Sequence, residues 1–508
     1  MKIPRLTIHM LFLIYIQLTV GFVLTGCSGS SWNIVKTNTF DHLEQIRTHK
    51  KEIILNRLES LLVKVHHAEK DSVLLAAFQL LGDTSGFIKP DNSVLRKTLD
   101  GLDLHFVSQY GEFYDILLIK KSGYVFHSIR MESDFHSNLF SGPLSATKLA
   151  YALRETPVPR FVDYDYYIPS AEPASFFITP IKSGTKELGW IAFQLPINTI
   201  NNVMTKHDGL GRTGEAYLTN NKKLMLTQSR LLGQDTIFKL PVDTLATTTA
   251  IDRGIGNLLL DDYRKIRVFS SFEKLEFQGV SWILIVEMDE DEVITNQFRE
   301  NPEYYMEKVF KKLTPGQIMP NKVSHINSNA VRVDINEYAK GKDGRQLWTK
   351  GVATCTGVVI TYPDHFSYLG HISPLDSAYF SSANKTLAKF GYWVRGEDIQ
   401  ANSFDLLGEM LDNINKFDVT KAQLRDIKIV LIAVHKNSFV QNINRLLDSG
   451  VFLSQIKILY AGEMEYANIF VTSAQEPVSI EWGNDSDQKF FRSRDKETQS
   501  LGDLVKSI

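Results

Sequence analysis

The feature that most constrains the fold is a change of hydrophobic period along the chain. From Phe40 to Leu81 apolar residues recur at three- and four-residue intervals, among them Leu43, Ile46, Ile53, Ile54, Leu58, Leu61 and Leu62, with charges between them. That spacing predicts a long amphipathic helix with a solvated charged face, either a stalk or the spine on which later elements pack. From Tyr114 onward the pattern breaks into short runs: Asp115-Ile116-Leu117-Leu118-Ile119, the turn Lys121-Ser122-Gly123, then Tyr124-Val125-Phe126. Strands and turns are therefore expected through the middle of the chain. Between Asn296 and Asn321 the chain turns polar, with Asn301-Pro302 and Thr314-Pro315-Gly316, which reads as a connecting helix or linker over 296–325.

Composition matters at two points. Lys+Arg 56 against Asp+Glu 58 leaves a formal charge of -2, so no nucleic-acid partner is expected. Only Cys27 and Cys355 occur, and each has its own context. Lys2 and Arg5 precede the mostly apolar stretch Leu6 to Leu24, which ends in Thr25-Gly26-Cys27 and continues as Ser28-Gly29-Ser30-Ser31. This resembles a bacterial lipoprotein signal (1–27), in which Cys27 carries the lipid and 28–39 form a tether; the alternative is an uncleaved membrane anchor. The resemblance implies an envelope location, membrane-bound through lipid and facing the periplasm. Ser28 after the lipid site is similar to the pattern that sorts lipoproteins to the outer membrane.

Residues 40–295 resemble the double Cache sensor domains of chemoreceptors. The resemblance rests on motifs in register: Tyr114-Asp115, Gly123, Asp134, Asn138-Leu139, Asp163-Tyr164, Tyr167, Pro169-Ser170, Gln194-Leu195-Pro196, Gly209-Leu210-Gly211-Arg212-Thr213-Gly214 and Asp262-Tyr263-Arg264. It implies two PAS-like modules behind the long helix and a small-molecule ligand, commonly an amino acid or other carboxylate. Tyr114, Asp115, Asp163, Tyr164 and Tyr167 are the candidate ligand-binding residues; they could equally be core aromatics and turn-capping carboxylates. Gly209, Gly211 and Gly214 also spell a G-x-G-x-x-G fingerprint. A nucleotide turn needs a helix after it, whereas Glu215-Ala216-Tyr217-Leu218 reads as a strand, so that reading is rejected.

Cys355 follows Thr349-Lys350-Gly351-Val352-Ala353-Thr354 and precedes Gly370-His371. A catalytic thiol needs a base to form thiolate, and an imidazole needs a partner to hold it in place. Cys355, His371 and Thr349 supply those three roles; the bland alternative is a small buried apolar residue beside a structural histidine. The order Thr, Cys, Gly-His resembles the chemoreceptor glutamine deamidase (CheD) family over about residues 325 to 483. Supporting segments are Ile427 to Ile432, Asn437 to Leu447, Ile456 to Tyr460, Ala467 to Val471 and Val478 to Trp482, the last expected as an edge strand. Departures from the family pattern fall at Ala353-Thr354, Ala433-Val434 and Gly462-Glu463-Met464.

The resulting expectation is an α/β (α+β) multidomain protein. A long N-terminal helix with two PAS-like Cache modules leads to a CheD-like α/β sandwich domain at 326–484, followed by a mobile tail at 485–508. The resemblance implies deamidation of protein glutamine side chains, with a protein substrate or signalling partner. Alternatives are another thiol reaction through the same thioester, or a non-catalytic interaction module. No cofactor or metal is expected; His66 and His67 read as solvent-facing.

Overall fold

A computed structural model describes residues 31–82, 93–155, 158, 160–313, 319–320, 326–341, 345–373, 399–401, 406–418, 423–462, 464–473, 478–484, 489–494 and 499–508. The signal-like run and Cys27 lie outside these residues. The chain divides into two compact units, Thr39–Glu290 and a second that joins Asp291–Ile508 with the segment up to Asn38.

The first unit opens on α1 (Ser31–Ala68), whose buried positions are Leu43, Arg47, Lys50, Ile54, Leu58, Leu61, Val65 and Ala68. The stripe follows three- and four-residue steps. It differs from the apolar set read from the sequence: Ile53 is exposed, and two cations take buried positions instead. Both cations are paired. Arg47 donates to Ser271 Oγ at 2.7 Å and meets Glu273 at 3.4 Å. Lys50 Nζ donates to the carbonyls of Val203 and Lys206, each at 2.7 Å.

Helices α2 (Ser72–Gly82) and α3 (Ser93–His105) follow, then β1 (Asp115–Lys120), β2 (Val125–Ser128), α4 (Lys148–Ala152), β3 (Phe161–Tyr167), β4 (Glu172–Ser183) and β5 (Lys186–Pro196). The five strands form one antiparallel sheet in the order β2-β1-β5-β4-β3. After α5 (Asn198–Met204) come β6 (Glu215–Asn220), α6 (Leu245–Arg253), β7 (Ile255–Asp261), β8 (Arg267–Phe277) and β9 (Val280–Asp289), which form a second sheet in the order β6-β9-β8-β7. The fold class is thus as expected, a long helix followed by two antiparallel sheet modules. Gly209 and Gly211 adopt positive φ, and β6 begins directly after Gly214. A strand follows the glycines, as the rejection of a nucleotide turn requires.

In the C-terminal unit the segment read as a connecting helix or linker carries two helices, α7 (Glu290–Glu300) and α8 (Pro302–Lys312). Ile294, Phe298, Tyr305, Met306 and Val309 on these helices are core residues, so the segment is part of the domain. The unit then runs through β10 (Met319–Pro320), β11 (Val331–Arg332), β12 (Glu337–Gly341), β13 (Leu347–Val352), β14 (Thr356–Tyr362), β15 (Phe366–Ile372) and β16 (Ile399–Ala401). It continues with α9 (Leu406–Asn413), β17 (Lys428–Ala433), α10 (Asn437–Asp448), β18 (Ile456–Tyr460), β19 (Tyr466–Val471), β20 (Ser479–Asn484), β21 (Lys489–Arg494) and α11 (Leu501–Lys506).

Two six-stranded sheets result, β10-β21-β20-β19-β13-β11 and β16-β12-β15-β14-β17-β18. Between them lies one core, with Leu347, Ile469 and Ile480 from the first sheet and Val359, Leu369 and Ile432 from the second. The other face of the second sheet, carrying Val358, Ile360 and Tyr368, forms a separate core with helices α7 to α11. Alternate residues of β14 thus serve two cores, which explains its continuous apolar run.

Two further expectations are corrected here. Strand β20 is not an edge, because β21 pairs along it from Ser479↔Arg494 to Asn484↔Lys489. The tail beyond 484 is not free either: Leu501, Leu504 and Val505 on α11 are buried in the helical core. Its apolar residues are few, but burying them is enough to anchor a short helix.

Candidate functional site

Thr349 lies on β13 of one sheet and His371 on β15 of the other, and both side chains point into the space between. On β13, Leu347 and Thr349 share the inner face; on β15, Leu369 and His371 do. Thr349 Oγ1 and His371 Nδ1 are 2.8 Å apart, a buried hydrogen bond linking the two sheets. His371 lies opposite Gly357 in the β14–β15 register. A Cβ at Gly357 would lie 2.0 Å from Ile469 Cδ1, so a larger residue there would have to push the end of that side chain aside.

Cys355 occupies the bend between β13 and β14, at the edge of the inter-sheet core. The bend is prepared by a bulge after Thr349, where Gly351 has φ +69 and its N–H donates to Asn468 Oδ1 at 3.0 Å. The thiol is 6% exposed. It is not hydrogen-bonded to His371, whose Nε2 is buried without a partner. Burial pushes the thiol up, against a smaller opposing effect from its hydrogen bond with Thr354. Burial also drives the imidazole down to about 4, partly offset by the Asp334 carboxylate. At neutral pH the site therefore holds a neutral imidazole and a protonated thiol.

Sequence reasoning named Thr349, His371 and Cys355 as candidates but not the groups that hold the end of β15. Asn336 N–H donates to the His371 carbonyl at 2.7 Å, and Asn336 Oδ1 accepts from Ser373 N–H at 3.0 Å. The available signal was Asn336 itself, an asparagine ahead of a strand, here in the left-handed region with φ 59. A surface cavity of about 560 Å³ lined by Tyr362, Arg425, Lys428 and Gln455 opens at the far end of β14. At about 3.3 Å per residue it is roughly 20 Å from Cys355, and so is no part of the thiol site.

The five candidate ligand residues separate into two groups. Asp163 and Tyr164 are tied into packing: Asp163 accepts from Trp282 Nε1 at 2.7 Å and meets Lys148 at 3.0 Å, while Tyr164 is buried against Trp282. Tyr114, Asp115 and Tyr167 instead gather with Glu132 and Asp134. Tyr114 OH donates to Glu132 at 2.6 Å and Tyr167 OH to Asp134 Oδ2 at 2.9 Å. Asp115 is saturated by the N–H groups of Ile116, Ile129 and Arg130 and by Ser128 Oγ, and burial pushes its carboxyl up to about 6.

Among the described residues, no helix is long and apolar enough to cross a membrane. No protein-family description and no curated protein matches the sequence. Solved structures with similarity include the ligand-binding domain of the Pseudomonas aeruginosa PAO1 amino acid chemoreceptor PctB in complex with L-Arg. It is 14% identical, covers 50% of this chain and 97% of that one, and has a TM-score of 0.35. The ligand-binding domain of the Pseudomonas fluorescens chemoreceptor CtaA with L-leucine is 11% identical, with coverages of 51% and 99% and a TM-score of 0.36. That of the P. aeruginosa chemoreceptor PctC with GABA is 19% identical, with coverages of 49% and 100% and a TM-score of 0.33.

Proposed function

We propose that this chain is a lipid-anchored, envelope-located sensor of a small ligand that also carries a thiol amide hydrolase, a deamidase of protein glutamine side chains. The observation that carries the enzymatic half is the Thr349–His371 hydrogen bond at 2.8 Å with the opposite ring nitrogen left unpartnered in the core. A ring held at Nδ1 and vacant at Nε2 is oriented as a general base. Its neutral state supports the same role.

In the proposed reaction Nε2 takes the thiol proton as the Cys355 sulfur bonds to the carboxamide carbon. The C–N bond then breaks while the imidazolium returns that proton to nitrogen, releasing ammonia. Water, deprotonated by the same ring, attacks the thioester; the C–S bond breaks, the imidazolium returns that proton to the sulfur, and a glutamate side chain leaves. For this, the 353–355 bend has to carry the thiol to Nε2. Backbone N–H groups around the bend would stabilise the oxyanion.

The buried, protonated thiol favours a second reading, in which the C-terminal domain is a protein-interaction module and the histidine a structural link between sheets. Incubating envelope proteins with the full chain separates the two. A gain of about 1 Da at glutamine sites (the mass change of amide to acid) with wild type, lost in Cys355→Ala, supports the deamidase. Identical spectra for the two proteins leave only the interaction module.

A further inference from the structure

In the β1–β5 register Asp115 stands opposite Gln194, so both project from the same face of the first sheet. Leu117, Phe176 and Ala192 continue that face as apolar core. At its polar end the side chains are short of donors. Gln194 is 1% exposed; its Nε2 donates to Ser170 Oγ at 3.0 Å, while its Oε1 is buried with no partner. Asp134 is fully buried, with Oδ2 held by Tyr167 and Oδ1 empty. Glu132 Oε1 is held by Tyr114 and its Oε2 is buried and empty. All three vacant atoms are acceptors. The other unpartnered groups of this sheet, His127 and Ser175, lie on its opposite face by strand alternation.

A buried acceptor without a donor is costly, more so when it belongs to a carboxylate. The nearby cation Arg130 is exposed and already engaged: its Nε donates to the Tyr114 carbonyl at 3.0 Å, and its guanidinium lies 4.2 Å over the Tyr114 ring. A metal ion does not suit the arrangement either, since no group of three carboxylates, histidines or cysteines converges on one point among the described residues.

We propose that this end of the first sheet binds a small organic ammonium ion, a primary amine or diamine, whose N–H groups donate to Asp134 Oδ1, Glu132 Oε2 and Gln194 Oε1. The inference rests on the ligand-sensing reading above and narrows it, because the buried side-chain atoms left vacant at this end of the sheet, among the described residues, are all acceptors. Mutual repulsion is consistent with it: burial, with the neighbouring Glu132, pushes the Asp134 carboxyl up, and an ammonium group would bring it back down.

The test is thermal shift and titration calorimetry on the full chain. The probes are 1,4-diaminobutane, tetramethylammonium (charge without N–H), calcium chloride and succinate at matched ionic strength. Diaminobutane should raise the melting temperature, and Gln194→Met, which removes one acceptor and keeps the charge, should weaken its affinity about tenfold. Binding of tetramethylammonium or calcium as tight as the diamine, or affinity unchanged in Gln194→Met, overturns the N–H recognition. A shift with succinate alone overturns the ammonium site but leaves ligand sensing standing. No shift with diaminobutane overturns the ammonium site.

Discussion

Each unit buries a pair of polar side chains, and the two pairs differ in how completely they are satisfied. Glu215 and Glu287 face each other in register across β6 and β9, both 1% exposed. Every carboxyl oxygen there has a partner: Tyr263 and Ser229 on Glu215, Tyr217 and Ser270 on Glu287. Around them Arg264 pairs with both Asp262 and Asp289. In the C-terminal unit Thr349 and His371 also meet across two strands, but one ring nitrogen is left empty. A saturated pair is a structural network that specifies its core, whereas the unsaturated one leaves a buried ring nitrogen without a partner.

The two pairs also respond to pH with opposite sign. Burial pushes Glu287 up to about 8 and His371 down to about 4. An acid raised in the folded state contributes stability that is lost as pH rises from its unfolded value near 4.5 towards 8. A histidine depressed in the folded state costs stability as pH falls from 6.5 towards 4. His127, also lowered to about 4 by burial, adds an acid-side loss to the first unit, so the contrast between units belongs to the alkaline limb.

The most forceful way to separate the units is to delete residues 499–508. Removing the buried side chains of Leu501, Leu504 and Val505 should cost the C-terminal unit roughly 5 kcal/mol or more. Calorimetry should then show one melting transition falling steeply while the other holds; two equal shifts would break the division. Next in size is Glu287→Gln, which keeps the hydrogen-bonding shape and removes the titration. The decline in stability of the first unit between pH 5 and 8, on the order of 2–4 kcal/mol, should flatten in denaturant melts. An unchanged slope would remove the proton from this account. The smallest effect is expected for Thr349→Val, which strips His371 Nδ1 of its partner. It should cost about 1–3 kcal/mol and cut deamidation with little change in fold by circular dichroism. Full activity in this variant would make the threonine merely structural.

Particular residues show how far the sequence could be read. The three- and four-residue rhythm of α1 was plain, yet Arg47 and Lys50 were assigned to the solvated face because their partners, Ser271 and the Val203 and Lys206 carbonyls, lie far away in the chain. Tyr164 and Tyr167 were both named as candidate ligand residues, although an odd separation puts them on opposite faces of a regular strand, and β3 is further disturbed by a bulge. Gln194 carried no signal as a site residue, since only its pairing with Asp115 reveals its neighbours.

The sequence by itself determined a long N-terminal helix followed by strands and turns, and the residue types able to form a thiol site. These follow from local period and composition, which need no distant partner. Tertiary structure decided what covers what: the connecting segment packs into a core, the tail ends in a packed helix, and β20 is an inner strand. It also decided that Thr349 reaches His371 while Cys355 stays unpaired with it. Burial and hydrogen-bond satisfaction depend on residues brought together from far along the chain, and no local pattern encodes them.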